Sequence, residues 1–115
     1  MSTEQARLQD HVDSIARNLD MPWEEWDQDL AEDPDQGFTA WDYLHDVLDF
    51  TYELDSDRRV IGGSLLLAFG GPNIQLDLRS GRVHGHWWGN YAEAMVTNRE
   101  QLEELIDHLN DLFYC

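Results

Sequence analysis

The side chains in this sequence that could do chemistry are mostly carboxylates. Asp42, Asp46 and Asp49 stand four and three apart, with Glu53 following, and Glu25, Asp29 and Asp33 stand four apart. From Asn18 to Asp57 there are 14 acids and neither Lys nor Arg. Carboxylates at helical spacing lie ~5–6 Å apart on one face, and each such pair costs the helix about 0.2–0.5 kcal/mol. A solvated face ordinarily relieves that repulsion with interspersed bases. A bare row imitates the phosphates of a nucleic acid. It would be steered toward a basic groove over long range, and salt would weaken the attraction. The residues expected to bind a partner this way are Glu24, Glu25, Asp27, Asp29, Glu32, Asp33, Asp35, Asp42, Asp46 and Asp49. The competing reading is an acidic face that meets only water.

Other chemistries are poorly served. Asp27, Asp29, Asp33 and Asp35 are dense, and Gly37 follows. An EF-hand calcium loop needs glycine at position six and glutamate at position twelve. Counted from Asp33, Gly37 falls at position five and Leu44 at twelve, and counted from Asp27, position five is Ala31, so the pattern fails. His84-Gly85-His86 is a tight histidine pair. On a strand both rings share a face and could chelate a transition metal, given a third ligand such as His45. The Gly and Trp neighbours favour an ordinary sheet face, so no metal and no cofactor are expected. There is no G-x-S-x-G, no P-loop and no H-E-x-x-H. Carboxylates become general acids or bases only when burial shifts them, and Cys115 is a terminal, solitary thiol. The expectation is a protein that is not an enzyme.

Composition narrows the partner. The chain has 115 residues, 24 acids and seven bases, for a formal charge of −17. Binding to phosphates needs Lys and Arg, so direct contact with nucleic acid is excluded, as is docking to an anionic membrane surface. Disorder is excluded too, because 42% of residues are apolar and there are five Trp, four Tyr and four Phe. No run approaches the ~20 apolar residues of a membrane span, and no basic-then-apolar leader is present, so a cytoplasmic location is expected. All the bases are Arg, and Asp outnumbers Glu 15 to 9. A GC-rich genome or a salt-adapted proteome would also produce that bias. Salt adaptation, however, loads every face. Here residues 1–57 carry −15 and residues 58–115 only −2.

The elements that must carry these side chains follow from periodicity. Leu8, Val12, Ile15, Ala16 and Leu19 predict an amphipathic helix over 3–19, with Ser2 and Gln5 as its capping box. Pro22 suits the first turn of a second helix to about Leu30, which puts Trp23, Trp26 and Leu30 on one face. Residues 33–37 read as a loop, and Thr39 caps a third helix from Ala40 to about Leu48. The period then becomes two. Strands are expected at 50–54, at 60–69 (buried on both faces, with Gly62-Gly63 as a bulge), and at 74–78, 83–88 and 91–96. Ser80-Gly81 and Gly89-Asn90 are the expected turns, with Trp87 and Trp88 on opposite faces of one strand. Thr97 with Glu100 caps a last helix whose stripe runs from Leu102 to Phe113. The expected fold is α+β: three N-terminal helices, a five-stranded antiparallel meander sheet and a C-terminal helix. It forms a single domain over 1–115, with an acidic helical half at 1–49 and the sheet plus last helix at 50–115.

Ala68-Phe69-Gly70-Gly71-Pro72-Asn73-Ile74, Leu76-Asp77, Ser80-Gly81-Arg82-Val83 and Trp87-Trp88-Gly89 resemble a pattern in small acidic proteins of plasmids and phages. The glycines and tryptophans of that pattern define a fold and carry no catalytic role. The acidic character is similar, as a class, to that of DNA-mimicking anti-restriction and anti-CRISPR inhibitors. The function expected is therefore an inhibitor from a mobile genetic element, blocking the basic groove of a nucleic-acid-binding defence protein. The alternatives are an immunity or antitoxin protein for a basic toxin, and a salt-adapted domain with no charge-specific partner.

Overall fold

The computed structural model describes residues 3–33 and 35–114, with side chains to Leu112. The expectations for Ser2, Pro34, Cys115 and the Phe113 side chain lie outside these. Five strands form one sheet in the order β1-β2-β3-β4-β5, each antiparallel to its neighbour. They are β1 Asp49–Leu54, β2 Val60–Ala68, β3 Asn73–Asp77, β4 Arg82–Trp87 and β5 Asn90–Met95. Register puts Phe50, Leu65, Leu76, Val83 and Ala94 in one row across all five strands. The neighbouring row is Asp49, Leu66, Gln75, His84 and Glu93. Strand alternation sends these rows to opposite faces. The first faces the core and the second is open.

Helices cover only the core face. α1, Thr3–Asp20, buries Leu8, Val12, Ala16 and Leu19 and lies over β4 and β5. Its Gln5 and Gln9 side chains donate to the Tyr91 and Glu93 carbonyls at 2.7 and 3.0 Å. These donors cap an edge strand that would otherwise invite pairing. α3, Arg99–Tyr114, packs on β2 through a stripe that includes the buried Leu102, Leu105 and Leu109. Asn110 locks it to the sheet by accepting from Val60 N–H at 2.7 Å and donating to the Val60 carbonyl at 3.0 Å. Asp20, at the end of α1, accepts from the Thr97 and Asn98 N–H groups just ahead of α3. Asn98, not Thr97, caps α3, accepting from Gln101 N–H at 3.3 Å. α2, Ala40–Asp46, packs on α3.

The α+β class and the antiparallel sheet stand as expected. The three N-terminal helices do not, because there are two α-helices. Between them the chain makes two 3-10 turns, Trp23–Glu25 and Gln28–Leu30, with extended backbone at Trp26. Side chains outcompete a helical ladder here. Gln28 Nε2 donates to the carbonyls of Trp23, Glu24 and Trp26, while its Oε1 accepts from Phe38 N–H at 2.8 Å. The Asp27 carboxylate accepts from Asp29 N–H. That folding lets Trp23, Trp26, Phe38 and Tyr43 meet in one aromatic cluster, with centroids 5.1–5.8 Å apart. α2 stops at Asp46 rather than Leu48, because Leu48 N–H already bonds the Leu66 carbonyl on β2.

Smaller corrections concern the strands. β2 is not buried on both faces: Ile61 is exposed and Leu66 half-buried. The extra residues in its pairings are Ile61 and Leu67, so the first bulge precedes Gly62-Gly63. Gly63 serves close approach instead, since a Cβ there would lie 2.3 Å from the Thr51 carbonyl oxygen. The β3–β4 connection uses Leu78–Gly81 and not two residues. β4 ends at Trp87, so Trp88 is a turn residue and does not point from a strand face.

Candidate functional site

The acidic residues segregate by the layers of the fold as strongly as by the halves of the sequence. Glu24 and Glu25 sit on the first 3-10 turn, and Asp27 and Asp29 at the second. Glu32, Asp33 and Asp35 lie on the loop beyond, and Asp46 ends α2. All eight are exposed, and none has an ion-pair partner among the described residues. The seven from Glu24 to Asp35 do not form the helical rows expected from their spacing, because their segment is not an α-helix. Asp49 opens β1 on the uncovered sheet face, apart from the others.

Asp42 departs from the expected row altogether. It is 8% exposed and turned inward. Its Oδ1 accepts from Glu32 N–H at 3.0 Å, and its Oδ2 accepts from Thr39 N–H at 2.8 Å and Thr39 Oγ1 at 3.1 Å. Burial alone would raise its pKa. The hydrogen bonds from Glu32 and Thr39 outweigh burial and hold the carboxyl below its ordinary 3.8. Asp42 is thus a structural brace that closes the acidic loop onto α2.

α3 supplies a part of this surface that the sequence reading passed over. Glu100, Glu104, Asp107 and Asp111 recur four, three and four apart, Glu103 stands beside them, and all five are exposed. Trp23 Nε1 donates to Glu104 Oε2 at 2.8 Å, which fastens this helix beside the turn bearing Glu24 and Glu25. The spacing was visible in the sequence, but the near-neutral total for residues 58–115 hid it. Counted by layer, the helical segments 3–46 and 99–114 carry −15 and residues 47–98 carry −2. Two ion pairs lie on the open sheet face: Arg79, in the β3–β4 connection, with Glu53 of β1 at 3.3 Å, and Arg82 of β4 with Glu93 of β5 at 3.5 Å. Both pairs lie in the layer whose net charge is small.

His84 and His86 do share the open face, as alternation requires, with ring centroids 6.0 Å apart. Desolvation, with His86 and Arg82 nearby, holds His84 below its ordinary pKa against the opposing pull of Asp77 and Glu93. His45 sits instead against Trp41 in the helical layer, 4.6 Å between centroids. No group of three His, Cys, Asp or Glu among the described residues could hold a metal.

At one end of the sheet the turns are apolar. Trp88 and Gly89 form the two-residue β4–β5 turn with φ of +53° and +78°. A turn with both central φ values positive favours Asn, Asp or Gly, and an ordinary L residue there costs about 1–2 kcal/mol. Trp88 is nonetheless 82% exposed, so its ring does not repay the strain by packing. Among the described residues, no helix is long and apolar enough to cross a membrane. Comparison with protein-family models, with curated proteins and with solved structures gave no match.

Proposed function

We propose that this chain is an inhibitor, not an enzyme, whose acidic helical layer occupies the nucleic-acid groove of a basic protein. The observation that supports this reading is the segregation of charge by layer: −15 on the helical segments, with eight exposed carboxylates between Glu24 and Asp46 that have no ion-pair partner among the described residues, against a sheet that is nearly neutral. A uniformly salt-adapted surface has no reason to load one layer and leave the other nearly neutral. The partner-binding set is Glu24, Glu25, Asp27, Asp29, Glu32, Asp33, Asp35 and Asp46, extended by Glu100, Glu103, Glu104, Asp107 and Asp111. These groups act by position and charge alone. They steer a positive groove from beyond contact distance, then replace the counterions and phosphates it would otherwise hold. No proton or group transfer and no cofactor is involved. The cytoplasm of a cell carrying plasmids or phages, where anti-restriction and anti-CRISPR proteins work, suits the resemblance of the Ala68–Ile74 and Trp87–Gly89 stretches.

The test starts from the protein that co-purifies with the full chain in its own cell. Labelled duplex DNA is titrated onto that protein with and without the chain. Competition supports the proposal. A stable complex of all three, or a partner with no affinity for nucleic acid, contradicts it. In the second case, a co-encoded basic toxin is what an immunity protein would bring down.

A further inference from the structure

The two most exposed large apolar side chains among the described residues, Trp88 and Phe69, lie at the same end of the sheet as Leu48. The β2–β3 turn, the β4–β5 turn and the residue entering β1 all lie at one end of the meander, because Asn73 pairs with His86 and Asp49 with Leu66. That end presents Trp88 at 82%, Phe69 at 73% and Leu48 at 60% exposure. Alternate turns of a sheet are two strands apart, so the turns bearing Phe69 and Trp88 are spaced by about 10 Å of backbone. Between the turns is a hollow of about 220 Å³ walled by Gly71, Asn73, His86, Trp88 and Tyr91. Neither Phe69-Gly70-Gly71-Pro72 nor Trp88-Gly89 carries a charge, while Asp46 and Asp49 flank Leu48.

We infer that Trp88, seconded by Phe69 and Leu48, is the anchor of a protein interface. Its occupant is a recess with an apolar floor and an Arg- or Lys-bearing rim. Three properties define that occupant. A Trp kept in a left-handed turn against backbone preference, and kept in water, serves neither folding nor solubility, whereas exposed aromatics are the usual core of protein interfaces. The basic rim follows from charge complementarity with Asp46, Asp49 and the acidic layer behind them. A second copy of this chain does not fit. Two chains at −17 repel each other. An anionic lipid surface is repelled in the same way. The inference rests on the proposed basic partner and adds a second, charge-free point of contact with it.

Photo-crosslinking of the full chain in its own cell tests this. Trp88 is replaced by p-benzoyl-phenylalanine in one strain and Glu103 in another. Supporting results are a crosslink from position 88 to a protein peptide holding apolar residues beside Arg or Lys, and a Trp88→Asn chain that binds that protein about 30-fold more weakly with its salt dependence unchanged. If position 103 crosslinks to the same protein, both readings hold. If position 88 crosslinks and position 103 does not, the anchor stands and the acidic layer fails. Crosslinks only to lipid, to another copy of the chain or to nothing overturn the anchor. Stability gives an arm free of any partner: Trp88→Asn creates the favoured Asn-Gly turn and should raise Tm by about 3–5 °C. A lowered Tm means the ring serves the fold, and overturns the inference.

Discussion

Replacing Asp42 separates the two jobs carboxylates do in this protein. Asp42→Ala removes one negative charge, as Asp46→Ala does, but Asp42 alone is braced. Its carboxylate holds Glu32 N–H, Thr39 N–H and Thr39 Oγ1 at 2.8–3.1 Å. The bond to Thr39 N–H secures the entry to α2, and a lost helix cap costs about 1 kcal/mol. The bond from Glu32 pins the acidic loop ten residues back, and a hydrogen bond to a charged group contributes about 1.5–3 kcal/mol. Asp42→Ala should therefore destabilise by about 3 kcal/mol, or about 12 °C in Tm for a domain of this size. Asp42→Asn keeps one acceptor oxygen and should lose about half of that. Asp46→Ala, which leaves an exposed and unpaired site, should stay within about 0.5 kcal/mol of the parent. Urea unfolding followed by Trp fluorescence and by far-ultraviolet circular dichroism measures all three. An Asp42→Ala midpoint equal to that of Asp46→Ala would refute the assignment of Asp42 as a brace.

Three further outcomes are expected. Because the folded pKa of Asp42 is depressed, its share of stability is fully present above the unfolded value of about 3.9 and is lost as pH falls through the folded value. Acid unfolding monitored by fluorescence should thus begin at higher pH in Asp42→Asn than in the parent. Nuclear magnetic resonance titration should give His84 a midpoint below 6.5, with desolvation as the main cause, and His84→Gln should flatten the loss of stability as pH falls from 7 to 5. Gly63→Ala drives a methyl into the Thr51 carbonyl and should destabilise by about 2 kcal/mol or more, with amide exchange accelerated along β1 and β2.

The sheet was legible because period-two alternation is a strong local signal, and Phe50, Leu65, Leu76 and Val83 all sit in the core row it implied. α1 was legible for the same reason at period 3.6. The second helix was misread because Trp23, Trp26 and Leu30 have helical spacing. What decides that segment is Gln28 bonding three carbonyls and Phe38, a tertiary arrangement with no periodic signature. Asp42 looked like its neighbours, since inward or outward depends on the loop folding back to present Glu32 N–H. Trp88 read as strand because hydropathy does not register the sign of φ. The acids of α3 were readable from their spacing but were averaged away by summing charge along the chain. Only the layers of the fold bring residues 24–46 and 100–111 onto one surface.

The central claim is that the acidic layer competes with nucleic acid for its partner. The most direct measurement is the affinity of the chain for that partner against salt concentration. It is made with the parent and with a variant carrying Glu100→Gln, Glu103→Gln, Asp107→Asn and Asp29→Asn, and displaced DNA is followed in the same titration. The account predicts a steep salt slope for the parent, a shallower slope for the variant, and DNA released in step with binding. Unchanged affinity and slope in the variant, or DNA that stays bound at saturation, would contradict it.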